Sequence, residues 1–142
     1  MTERAPLPDR WTEFAQESER ARSLGHRGLL VTGTSSVSVA VLLQALGVLV
    51  AGTSAFPSSA KFALLIALFC FVVAAISGVL TNVAGPAAPS GEYRTGEAIP
   101  EAALNAARMV NDRNTRALGF GAALEGVGMV FVFVTAWLLV FK

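Results

Sequence analysis

Few side chains in this sequence have the type and setting for chemistry, and Glu125 is the first of them. It is the single charged residue in the apolar run Leu118–Phe141. An ionisable side chain at the centre of a bilayer costs roughly 2.5–3.5 kcal/mol on insertion scales. Counted from Leu118, Glu125 lies about 10 Å inside, or about 5 Å if the hydrocarbon begins nearer Ala122. Ala117, Gly121, Glu125 and Gly128 follow helical spacing and form one small-residue stripe. Such stripes let helices approach closely in lipid, so Glu125 is expected to face another helix. Polar residues at similar depth include Ser35 in an earlier run and Ser77 and Asn82 in another. Two readings are open: hydrogen-bonded glue in a bundle, or a proton, ion or gating site in a wet vestibule.

Arginines are the second candidate. Arg108, Asp112 and Arg116 stand at i, i+4, i+8 and predict a stripe of ion pairs worth a few tenths of a kcal/mol each. With Arg20, Arg22, His26, Arg27 and Arg113 they make a basic collar. Attraction to anionic lipid and the setting of topology account for it simply, at about 1 kcal/mol per residue. A pocket for an anionic ligand such as a nucleotide phosphate is the sharper account. Its residues would be Arg20, Arg22, Arg27, Arg108, Arg113 and Arg116.

Catalytic and metal motifs are missing. There is no Gly-rich phosphate loop followed by Lys, no HExxH and no GxSxG, so no catalytic residue and no cofactor is expected. His26 is the only histidine and Cys70 the only cysteine, which leaves no metal-ligand set and no intrachain disulfide.

Three runs must position these groups: 29–51, 62–83 and 118–141, each at least 22 residues long. A helix needs about 20 apolar residues to cross a bilayer. The chain is 54% hydrophobic and 15% charged, with mean hydropathy +0.58, against about 25% charged in soluble domains. A net charge of +1 gives no field for capturing nucleic acid. The first run is expected to be a retained signal anchor, being longer than a signal-peptide core.

An N-inside arrangement puts nine arginine and lysine residues inside and two outside. The positive-inside rule then predicts a cytoplasmic N-terminus and an outer C-terminus. Asp9 is a candidate N-cap for an amphipathic helix over 9–27. Trp11, Phe14, Ala15, Ser18, Ala21 and Leu24 would form its apolar face, with Gly25 and Gly28 as a hinge to the first span. Residues 52–60 predict a short outer turn, and 85–98, rich in Pro and Gly, an irregular loop. Pro100 suits the first position of a helix running unbroken to Phe141. The predicted fold is an all-α membrane protein of one domain. It has three transmembrane helices, an N-terminal amphipathic cytoplasmic helix and, over 84–117, a cytoplasmic loop followed by a cytoplasmic extension of the third transmembrane helix.

With the segments 19–30 and 111–120 leading basic residues into the first and third spans, the layout resembles small multi-pass effectors of bacterial antiphage nucleotide signalling, the Pycsar transmembrane type. The resemblance implies an inner-membrane protein, not an enzyme, that senses a cyclic pyrimidine nucleotide and impairs the membrane. Its partners would be the lipid bilayer and further copies of itself, joined through Gly/Ala helix faces. The alternative is a non-catalytic accessory or assembly subunit of a larger membrane complex.

Overall fold

The computed structural model describes residues 10–51, 57–83 and 100–141, and all of these but Pro57, Pro100 and Phe141 are helical. The candidate cap Asp9, the centre of the outer turn, the loop over 85–98, and Arg4, Arg94 and Lys142 of the charge count lie outside these residues. Three helices follow in order: α1 (Arg10–Ala51), α2 (Ser58–Val83) and α3 (Glu101–Val140). At about 1.5 Å per residue they are roughly 63, 39 and 60 Å long. Each contains an 18-residue window of mean hydropathy 1.8, 2.8 and 2.1 respectively, so all three are long and apolar enough to cross a membrane.

The helices are held by seams that repeat every seven residues. On α3 the buried positions are Leu104, Ala107, Asn111, Asn114, Gly121, Gly128 and Thr135, and half-buried Leu118, Glu125 and Val132 fill the intervals. On α1 they are Leu24, Gly28, Ser35 and Leu42. This is the side-chain spacing of coiled-coil packing, with neighbouring helices crossing at a shallow angle. α2 is the inner helix: 44% of its apolar window is buried, against 11% for each of the others. Leu42, Leu64, Ala67 and Phe71 form the central cluster, with Phe131 and Val132 packed on it. Outward-facing positions such as Phe62, Phe69, Phe133 and Trp137 stay exposed, as a lipid-facing surface requires.

Contacts fix the directions. Gly28 meets Gly78 while Thr32 reaches Ala75, so α1 and α2 are antiparallel. Gly121 meets Ser77 while Gly128 meets Phe71, so α2 and α3 are antiparallel too. α1 and α3 therefore run parallel, and both continue beyond the end of α2 as a two-helix stalk.

Two expectations are corrected here. Residues 10–27 are not a separate amphipathic helix on the headgroups; they are the first part of α1 and pack along α3. Gly25 and Gly28 are not a hinge, because the helix passes through both without a break. They serve close approach. A Cβ on Gly28 would sit 2.9 Å from the Gly78 carbonyl oxygen and collide with the Thr81 hydroxyl. A Cβ on Gly78 would sit 2.6 Å from the Gly28 carbonyl oxygen. The expected continuity of α3 is observed, with the small difference that Pro100 is its N-cap in extended conformation (ψ 136°) and not its first helical residue.

Candidate functional site

The stalk is stitched by polar contacts between α1 and α3. Arg108 Nη2 donates to Glu13 Oε2 at 2.8 Å, and Arg20 Nη2 to Asp112 Oδ1 at 2.9 Å. Arg20 also lies 3.7 Å from Glu17 and donates to the Thr115 hydroxyl at 3.4 Å. Between these pairs Asn111, fully buried, donates from Nδ2 to the Glu17 carbonyl at 2.9 Å and to Glu17 Oε2 at 2.7 Å. Its Oδ1 has no hydrogen-bond partner among the described residues. Asn114, also buried, reaches the Thr81 carbonyl of α2 at 3.5 Å. An asparagine in a parallel seam favours one register, since a slipped register strands its amide.

The predicted ion-pair stripe along α3 is thus replaced by cross-helix pairs. Arg108 and Asp112 both turn to α1. A carboxylate on the facing helix competes well with one a turn away, because the seam has already brought the backbones together.

The six candidate arginines divide into two sets. Arg20 and Arg108 are engaged with acids in the stalk. Arg22, Arg27, Arg113 and Arg116 are exposed and make no ion pair among the described residues. Arg20 faces Asp112, 92 residues on. The same parallel offset sets Arg22 and Arg27 level with about 114 and 119, so the four unpaired cations fall within about 9 Å along the bundle, where α3 becomes continuously apolar. Arg113 and Arg116, with Met109 and Asp112, line an open concavity of about 500 Å³. Asp112 occupies its rim already paired with Arg20, which reduces its repulsion of an incoming anion.

The intramembrane candidates are not joined among the described residues, and the register that sets Gly28 at Gly78 and Thr32 at Ala75 leaves Ser35 and Asn82 about 15 Å apart along the bundle. Ser77 is buried and donates to the Val73 carbonyl of its own helix at 3.0 Å. Asn82 donates to the Gly78 carbonyl at 3.2 Å. Ser35 is fully buried and its Oγ has no partner among the described residues. Glu125 is half-buried on the α3 seam between Gly121 and Gly128, which pack on Ser77 and Phe71 of α2, and makes no hydrogen bond or ion pair among the described residues.

Asn111 and Asn114 were missed as buried polar positions. A signal for these two existed: stepping back from Gly121 by alternate threes and fours, through 118, lands on both. The tight Gly28–Gly78 crossing had no such signal, because it depends on which faces of two helices meet. Compared with family models, with curated proteins and with solved structures, the chain finds no match.

Proposed function

We propose that this chain is a membrane effector that receives an anionic cytoplasmic signal on its arginine collar and responds by impairing the membrane. The observation that carries the reading is the concavity bordered by unpaired Arg113 and Arg116, set on a helix that continues unbroken into an apolar span. Guanidinium groups bind phosphate through paired donors. A ligand that bridges Arg113 and Arg116 beside Asp112, which Arg20 of α1 holds, would bind one arrangement of the parallel helices better than another. That difference in affinity is what shifts a conformational equilibrium. Continuous helices then carry the shift to the seam around Glu125. The resemblance to Pycsar transmembrane effectors names the signal as a cyclic pyrimidine nucleotide and the setting as antiphage defence. The nine-to-two distribution of positive residues supports a cytoplasmic stalk.

The test is dye release from vesicles carrying the full chain, with cyclic UMP and cyclic CMP added on the stalk side and cyclic AMP as control. Release is expected with a pyrimidine nucleotide, and its loss in an Arg113→Ala, Arg116→Ala variant. If no nucleotide causes release, or the variant responds like the parent, the ligand reading is wrong and the accessory-subunit reading remains.

A further inference from the structure

The lipid-facing side of α1 carries a group that lipid cannot satisfy. Gln44 is exposed and makes no hydrogen bond among the described residues. It lies about 22 Å along the helix from Leu29 and about 10 Å short of Ala51, too deep for a carboxamide to reach the headgroups. A primary amide offers two donors and a two-lone-pair acceptor. In hydrocarbon only another protein group can meet them, and Gln is one of the side chains that join helices across a bilayer.

What surrounds Gln44 decides the kind of partner. Gly33, Ser36, Ala40 and Gly47 are all exposed, and with Gln44 they fall within an arc of about 80° on α1. A Cβ added to Gly33 or Gly47 would meet nothing within 4 Å. The arc points away from the seam of Leu24, Gly28, Ser35 and Leu42, so it plays no part in folding the bundle. Val37 and Val41, 65% and 58% exposed, flank it on one side. The result is a shallow, small-residue track with one amide in it, a shape into which a second helix fits at backbone distance.

We infer that this face of α1 is the contact between two copies of the chain, with the Gln44 amides of the two copies hydrogen-bonded across a two-fold axis. An amide is both donor and acceptor, so it is complementary to itself, which is what an isologous interface demands. A foreign partner would need a matching amide at the same depth; a second copy supplies it by symmetry. The inference deepens the effector reading, since a bundle of three helices, with α1 and α3 packed on α2, encloses no channel and membrane damage requires several copies, yet it stands on Gln44 and not on any ligand.

Two measurements test it in lipid bilayers with no nucleotide present, so that failure of the nucleotide response and failure of the contact are read separately. In the full chain carrying Cys70→Ala, a cysteine is placed at Ala40, in the track, or at Val41, about 100° round the helix. Ala40→Cys is expected to form a disulfide-linked dimer at least tenfold faster than Val41→Cys. Equal rates, or no dimer from Ala40→Cys, would overturn the proposal. Association is then followed by energy transfer between labelled copies as lipid is added. Gln44→Leu is expected to weaken it about tenfold and Gln44→Asn to retain most of it. Neither variant touches the bundle interior, and retained helical circular dichroism checks this. A Gln44→Leu variant that associates like the parent would also overturn the proposal.

Discussion

Replacing Gly78 by alanine probes the tightest crossing in the molecule. The new Cβ would stand 2.6 Å from the Gly28 carbonyl oxygen and 3.0 Å from the Thr32 nitrogen, and would collide with the Thr32 hydroxyl. Ordinary contact begins at 3.4 Å, so α1 and α2 must separate locally by about 0.8 Å. Two of the obstacles are backbone atoms of a helix and cannot rotate aside. Overpacking of this kind costs about 1–3 kcal/mol, and the upper end applies here. Alanine returns about 1 kcal/mol of helix propensity relative to glycine. The net loss is about 2 kcal/mol, roughly 30-fold in the folding equilibrium. Gly126→Ala is the control, because a Cβ there meets nothing within 4 Å and keeps only the propensity gain. Reversible unfolding in mixed micelles, followed by circular dichroism, should separate the two variants by about 3 kcal/mol. If Gly78→Ala proves as stable as Gly126→Ala, the helices are not in backbone contact at this point and the reasoning fails.

Two further outcomes follow from the stalk and the seam. A double-mutant cycle on Glu13→Ala and Arg108→Ala should give a coupling of about 0.2–1 kcal/mol that shrinks in high salt, since both side chains are partly in water (28% and 47% exposed); a coupling unchanged between low and 1 M salt would contradict the solvent-exposed geometry. Glu125→Gln removes the charge from a half-buried seam position with no partner among the described residues, so bundle stability should rise or stay level, and dye release should fall if the carboxylate participates in it; a Gln variant less stable than the parent would show that the carboxylate has a partner in the bilayer.

The spans were legible because charge-free apolar runs of this length have few other uses. The continuity of α3 was legible as well, because nothing between Pro100 and the third run breaks a helix. α1 misled for a local reason: Gly25 and Gly28 read as flexible when taken along one chain. In the bundle their missing side chains admit Asn82, Thr81 and the backbone of Gly78. The ion pairs misled similarly. Sequence spacing displays neighbours one turn apart, and so it paired Arg108 and Arg116 with Asp112. The partners chosen, Glu13 for Arg108 and Arg20 for Asp112, are 95 and 92 residues distant. Arg113 and Arg116 were visible as candidates, but their sharing of one concavity with Met109 required the helix surface itself. Asn111 stands beside the charged Asp112 and Arg113; only the heptad register, carried back from the membrane, shows that it points inward.

The parallel pairing of α1 with α3 also imposes an order on biosynthesis. The polar teeth of α1, Glu13, Glu17 and Arg20, are made first, and their partners follow 92 to 95 residues later. At about 5–20 residues per second, the leading stretch of α1 waits roughly 5–18 s before Asp112 leaves the ribosome. During that interval two spans can enter the lipid while Trp11, Phe14 and Leu24 remain open to chaperones or to a neighbouring nascent chain. The last helix is therefore a clasp: until it inserts, the stalk does not exist, and a product cut short before α3 would present half a zipper to the cell.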